Sequence, residues 1–141
     1  MNEAQVPTRE GDRPRSQTDG GLVTVVIPAR NEAGSIEQCL QSVLGQTVQN
    51  LQVIVVDGAS TDDTAAVVRR YQGRDARLVL LSNPDAIIPK SLNTALAAAE
   101  GTWFIRVDAH STIPPTYVEL ALRHLREGRW GGVGGARMAL G

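Results

Sequence analysis

Four apolar runs punctuate the chain, and each ends in polar or turn-forming residues. LVTVVIP (22–28) is a continuous, β-branched stretch, which predicts a strand covered on both faces. LQVIVVDGAS (51–60) repeats the design, with five apolar residues in its first six positions and a break at Asp57-Gly58. RLVLLSN (77–83) and TWFIRV (102–107) read as the third and fourth strands. After each strand, apolar residues recur at helical spacing. The first stripe is Ile36, Leu40, Val43 and Leu44, behind Ser35 as an N-cap. The second is Val67, Val68 and Tyr71, with Ser60 or Thr61 as the cap and Asp62 and Asp63 in the positive first turn. The third is Leu92, Ala95, Leu96 and Ala99, opened by Pro89 and stopped by Gly101. The fourth is Val118, Ala121, Leu122 and Leu125, after Pro114 and Pro115. Strands alternating with helices predict βαβ units and a mainly parallel α/β sheet.

Composition narrows the partners. With 141 residues and 42% hydrophobic content, one domain with a real core is expected. Residues 1–21 are polar and rich in Pro, Gly and charge, and read as a disordered tail ahead of a domain over 22–141. A net charge of −1 gives no field to attract nucleic acid or anionic lipid, so no nucleic acid partner is expected. Any phosphate must be held by a local device: a metal, an Arg or a helix N-terminus. No run approaches 18 apolar residues, and residues 1–20 lack the apolar core of a signal peptide. The single cysteine, Cys39, reads as a small buried hydrophobe and fits a reducing, cytoplasmic setting.

Candidate chemistry gathers after three of the strands, where open α/β sheets bind ligands. In DAH (108–110), residues two apart on an extended segment point to one side, so Asp108 and His110 can reach one ion while Ala109 points away. Two protein ligands plus substrate phosphate suit Mg²⁺ or Mn²⁺, and the imidazole shifts the preference toward Mn²⁺ or another transition ion. The other reading of this segment has Asp108 capping a turn and His110 idle on the surface. In DGASTDD (57–63), the Ser/Thr/Asp run reads equally as helix capping, but Asp57 ends a buried strand and can accept hydrogen bonds from a base or ribose. PARNE (28–32) offers Arg30 for a carboxylate or phosphate, and Glu32 as a pocket residue or a first-turn acid. Arg106 interrupts an apolar strand, and its partner is either a neighbouring acid or a substrate phosphate. Lys90 and Asn93, early in the third helix, face either the cleft or solvent. GGVGG (131–135) lacks the spacing of a dinucleotide fingerprint.

Taken together, VTVVIPARNEAGSIEQCLQSVLGQT, VIVVDGASTDDT and SLNTALAAAEGTWFIRVDAH resemble the motifs of family 2 glycosyltransferases, in the right order and spacing. The RVDAH form, with His for the second Asp of a DxD motif, is most similar to the succinoglycan-type exopolysaccharide branch. The resemblance implies a GT-A (Rossmann-like) sheet with helices on both faces. It also implies a nucleotide-sugar donor, often a UDP-sugar, and a saccharide or lipid-linked acceptor. By the same resemblance Pro28, Ala29, Arg30, Glu32, Asp57, Asp62 and Asn93 form the nucleotide site, and Asp108 and His110 hold a divalent metal. Chemistry would be inverting, with a carboxylate base. The family's base lies downstream of this sheet, and no acidic residue follows Glu127, so the base is expected beyond Gly141. The chain therefore reads as the donor-binding portion of an enzyme truncated at its C-terminus, and membrane association would come only from sequence further downstream. Two other readings compete: a non-catalytic nucleotide-sugar binding module or inactive fragment, and a sugar nucleotidyltransferase. The last would want a Gly-rich, basic loop after the first strand, and PARNEAGS carries one Gly and one Arg.

Overall fold

The computed structural model describes residues 21–126. The tail expected over 1–21, apart from Gly21, and the Gly-rich run at 131–135 lie outside the described residues. Four strands, β1 (Val23–Ala29), β2 (Leu51–Asp57), β3 (Leu78–Ser82) and β4 (Trp103–Arg106), alternate with α1 (Ile36–Leu44), α2 (Thr64–Gln72), α3 (Ile88–Ala98) and α4 (Tyr117–Arg126). The sheet is parallel throughout, in the order β3-β2-β1-β4. No helix among the described residues is long and apolar enough to cross a membrane.

Alternation along each strand sorts side chains into two layers. Val23, Val25 and Ile27 of β1, Val53 and Val55 of β2, and Ile105 of β4 pack with α1, α2 and α4. Val26, Ile54 and Val56 point the other way, with Phe104 and Leu81, onto Leu92 and Ala95 of α3. Strands buried on both faces explain the continuous apolar runs. The stripes predicted for α1, α2 and α4 are the buried ones, but Leu96 of α3 is 56% exposed.

Two predicted caps are different in detail. Ser35 stands at the N-cap position of α1, yet makes no capping hydrogen bond. The residue ahead of α2 is Asp63, not Ser60 or Thr61. In both cases the hydroxyls are drawn to a neighbouring loop, described below.

The turn from α3 into β4 is held from the sheet. Buried Thr24 donates to Gln52 Oε1 at 2.7 Å and accepts from Gly101 N at 2.9 Å. Gln52 also accepts from Glu100 N and donates to the Ala98 carbonyl. A Cβ on Gly101 would stand 2.6 Å from both Thr24 N and Thr24 Oγ1, and 2.8 Å from the Leu22 carbonyl. Because backbone lies on two sides, relief requires strand movement. Gly101→Ala is therefore expected to cost about 1–3 kcal/mol, as overpacking does, in chemical denaturation.

Candidate functional site

The path β1, β2, β3 builds the sheet in one direction, and α3 carries the chain back to place β4 on the other side of β1. This reversal makes the ends of β1 and β4 a topological switch point, where doubly wound sheets take ligands. A cleft of about 370 Å³ lies there, lined by Pro28, Ala29, Arg30 and Glu32 after β1, by Arg106, Asp108, Ala109 and His110 at the end of β4, and by Gly58, Ala86, Ile88 and Ser91. Six of the predicted site residues thus meet in one cleft.

Asp108 and His110 share this wall. Arg106 Nη2 lies 3.3 Å from Asp108 Oδ1, so the strand arginine finds its partner two residues along. His110 Nδ1 lies 3.6 Å from Glu32 Oε2. Among the described residues, no cluster of three or more His, Cys, Asp or Glu side chains is arranged to hold a metal by itself. The donor set nonetheless fits a divalent ion completed by phosphate: one carboxylate and one imidazole face the same cleft, and positions are left for oxygen ligands.

Asp57 stands at the register partner of Ala29 and faces an adjoining groove of about 490 Å³ with Arg69, Gln72, Leu80 and Ser82. Its Oδ1 is buried and accepts no hydrogen bond from the described residues. A buried carboxylate oxygen without a donor is costly, which singles Asp57 out among the acids of this loop. Gly58, the next residue, lines the first cleft, which sets the two spaces side by side.

The loops after β1 and β2 are joined by reciprocal hydrogen bonds. Asn31 N donates to Ser60 Oγ and Asn31 Oδ1 accepts from Thr61 N, both at 2.8 Å. Glu32 N donates to Thr64 Oγ1 at 2.8 Å, and Ala33 N to Asp62 Oδ2 at 3.2 Å. Asp62 Oδ1 accepts from both the backbone N–H and the hydroxyl of Thr64. Asp62 does not line either cleft; its two oxygens tie the loops together. The Thr64 hydroxyl, then its N–H, hold the Asp62 carboxyl below its ordinary value of 3.8.

Asn93 is exposed on α3 and lines neither cleft. Two residues advance a helix by roughly 200°, so with Ser91 turned inward Asn93 turns out. Lys90 pairs with Asp85 at 2.9 Å on the surface, the solvated reading. Ala86, Ile88 and Ser91 had no distinguishing pattern in the sequence. They are brought in by buried Asn83, whose Nδ2 donates to the Ile87 carbonyl (3.1 Å) and Ser91 Oγ (2.9 Å). Asn following the third strand was the available signal. Cys39 is buried, and burial, then the Asp108 and Glu32 carboxylates, push its thiol up to about 12. It is no nucleophile.

Three rim residues other than glycine have positive φ: Asn31 (53°), Ala59 (61°) and Ala86 (60°). Asn tolerates this region, whereas Ala does so at a cost. Ala59→Gly is expected to stabilise the chain by about 1 kcal/mol in urea titration. Asp62→Ala should melt earlier at neutral pH while leaving nucleotide affinity intact. Since the folded-state value of Asp62 is depressed, its stabilisation is present above about pH 4 and is lost as pH falls through the carboxylate range. The melting gap between Asp62→Ala and wild type should therefore narrow on acidification toward pH ~3.

Comparison with known proteins agrees with the resemblance carried by the sequence motifs. The sequence model "Glycosyl transferase family 2" matches residues 24–140. The chain is 35% identical over 102 residues to a chondroitin synthase of Pasteurella multocida, covering 72% of this chain and 11% of that protein. It is 39% identical over 98 residues to the succinoglycan biosynthesis protein ExoA of Rhizobium meliloti, covering 67% of this chain and 30% of that one. Among solved structures, the mannosyltransferase PcManGT of Pyrobaculum calidifontis, in complex with GDP-Man and Mn²⁺, superposes with a TM-score of 0.69 at 35% identity, over 73% of this chain and 32% of that one. The chain thus spans between a tenth and a third of the length of these relatives.

Proposed function

The chain belongs to glycosyl transferase family 2, and from that premise we propose that it forms the donor-binding part of an inverting glycosyltransferase of the GT-A fold. The observation that carries the reading is the cleft at the β1/β4 switch point, where Glu32, Asp108 and His110 converge beside the unpartnered oxygen of Asp57. The donor in this reading is a nucleoside diphosphate sugar, with UDP as its nucleotide. The acceptor is a growing polysaccharide or glycolipid, and the site of action is cytoplasmic. The printed ligands of the mannosyltransferase neighbour, GDP-Man and Mn²⁺, support the donor class and the use of a divalent ion.

The roles follow from placement. Asp57 accepts an N–H from the base, in the groove it shares with Ser82. Pro28, Ala29 and Arg30 wall the path from base to diphosphate. Asp108 and His110 would hold the divalent ion, which when bound offsets the negative charge that builds on the departing nucleoside diphosphate. Arg106 pairs with Asp108 and holds its carboxylate at the cleft wall. In the transfer itself, an acceptor hydroxyl forms the new bond to the anomeric carbon as the bond to the diphosphate oxygen breaks, and a carboxylate takes the hydroxyl proton. None of the described residues is assigned that last role.

Calorimetric titration tests the reading. UDP should bind far more tightly with Mn²⁺ than with EDTA, and equal affinity in the two would overturn the metal assignment. A hydrogen bond to a charged group contributes roughly 1.5–3 kcal/mol, so Asp57→Ala should weaken UDP roughly tenfold to a hundredfold. Unchanged affinity in a folded Asp57→Ala chain would overturn the base pocket.

A further inference from the structure

The two side chains assigned to the ion are held differently. Asp108 is fixed by Arg106, whereas His110 is 66% exposed, and its one polar contact among the described residues is Glu32. Glu32 is firmly set. Its backbone N–H donates to buried Thr64 Oγ1 at 2.8 Å, and its Oε1 lies 3.0 Å from Ser35 Oγ. The same hydroxyl lies 3.3 Å from the carbonyl of Ala109, the residue between the two ligands. With Oε1 taken, Oε2 is the oxygen left to face the imidazole, and it stands 3.6 Å from Nδ1. That distance is beyond hydrogen-bond length, and the ring, 66% exposed, has room to turn toward the carboxylate.

We infer that Glu32 is a positioning residue for His110. It accepts the Nδ1–H, fixes the ring in that tautomer, and thereby presents Nε2 to the cleft as the metal donor. A ligating histidine gains both orientation and basicity from a carboxylate on its other nitrogen, and loss of such a partner typically costs tenfold to a hundredfold in metal affinity. The arrangement also explains why Ser35 leaves its helix uncapped: its hydroxyl sits where it sets the Glu32 carboxylate against the DAH segment. Where the ion is concerned, the inference rests on the donor-binding reading. The tautomer does not.

The test uses the whole chain. It contains two histidines, so long-range nitrogen–proton NMR correlations at about pH 8, where imidazoles are neutral, can report His110 directly, with His110→Gln giving the assignment. Wild type should show Nδ1–H at His110, and Glu32→Ala should revert to the Nε2–H form that a solvated imidazole prefers. Mn²⁺ affinity in the presence of UDP should fall roughly tenfold to a hundredfold in Glu32→Ala, and Glu32→Gln, which keeps an acceptor oxygen, should recover part of both effects. Ser35→Ala should shift the tautomer in the same direction by less, and decides the matter if Glu32→Ala does not fold. Nε2–H in the wild type, or a tautomer unmoved by these substitutions, overturns the inference. A Glu32-dependent tautomer in a chain that takes up no Mn²⁺ with UDP or GDP overturns the donor reading and leaves the contact standing.

Discussion

Hydrogen bonding of β1 to parallel strands on both sides is the constraint on which the rest of the structure depends. Parallel neighbours cannot be joined by tight turns, so every connection must cross a face of the sheet, and every strand delivers its C-terminal end to the same edge. The polar segments after β1, β2 and β4 are thereby forced together, although they are separated by tens of residues. The central strand is buried on both faces, so it carries no ionisable group, and its one polar side chain, Thr24, is fully hydrogen-bonded. Chemistry therefore begins where β1 stops, just after Ala29.

Loops at such an edge are free to wander unless something ties them, and here the ties are side chains bonding to backbone. Asn31 with Ser60 and Thr61, and Asp62 with Thr64 and Ala33, turn two loops into one rim. Asn83 does the same for the loop after β3, and Gln52 with Thr24 holds the opposite end of the sheet. The ties made by Asn83, Thr24 and Gln52 satisfy buried or half-buried polar groups that would otherwise be a liability, whereas those of Asn31 lie at the exposed rim. The rim also accommodates Ala59 and Ala86 in the left-handed region, a local cost that the surrounding bonds sustain.

Much of this was legible in the sequence because burial on two faces leaves continuous apolar runs, and burial on one leaves a stripe. LVTVVIP and LQVIVV announced the central strands, and the stripes of α1, α2 and α4 marked their inner faces. Asp108, His110, Glu32 and Arg106 were visible as polar residues at or interrupting strand ends. What was not legible depends on contacts between loops. Ser35, Ser60 and Thr61 carry the composition of helix caps, and nothing local says that their hydroxyls bond across to another segment. Asn93 and Ser91 are both small polar residues early in α3, and only the phase of the helix against Asn83 decides which one turns inward. Asp57 stood apart in the sequence as the end of a buried strand, but only the structure shows partners for both oxygens of Asp62 and none for Oδ1 of Asp57.

The silence of Cys39 has a practical side. It is the chain's single thiol, packed with its sulfur 3.4 Å from the Asp108 carbonyl and protonated far above neutral pH. Thiol-directed dyes and spin probes pass over it under native conditions, so no engineered background is required before labelling. A cysteine placed at an exposed position two residues past His110, such as Thr112→Cys, becomes the sole attachment point, and a reporter there can follow the arrival of a nucleotide in an otherwise unaltered protein.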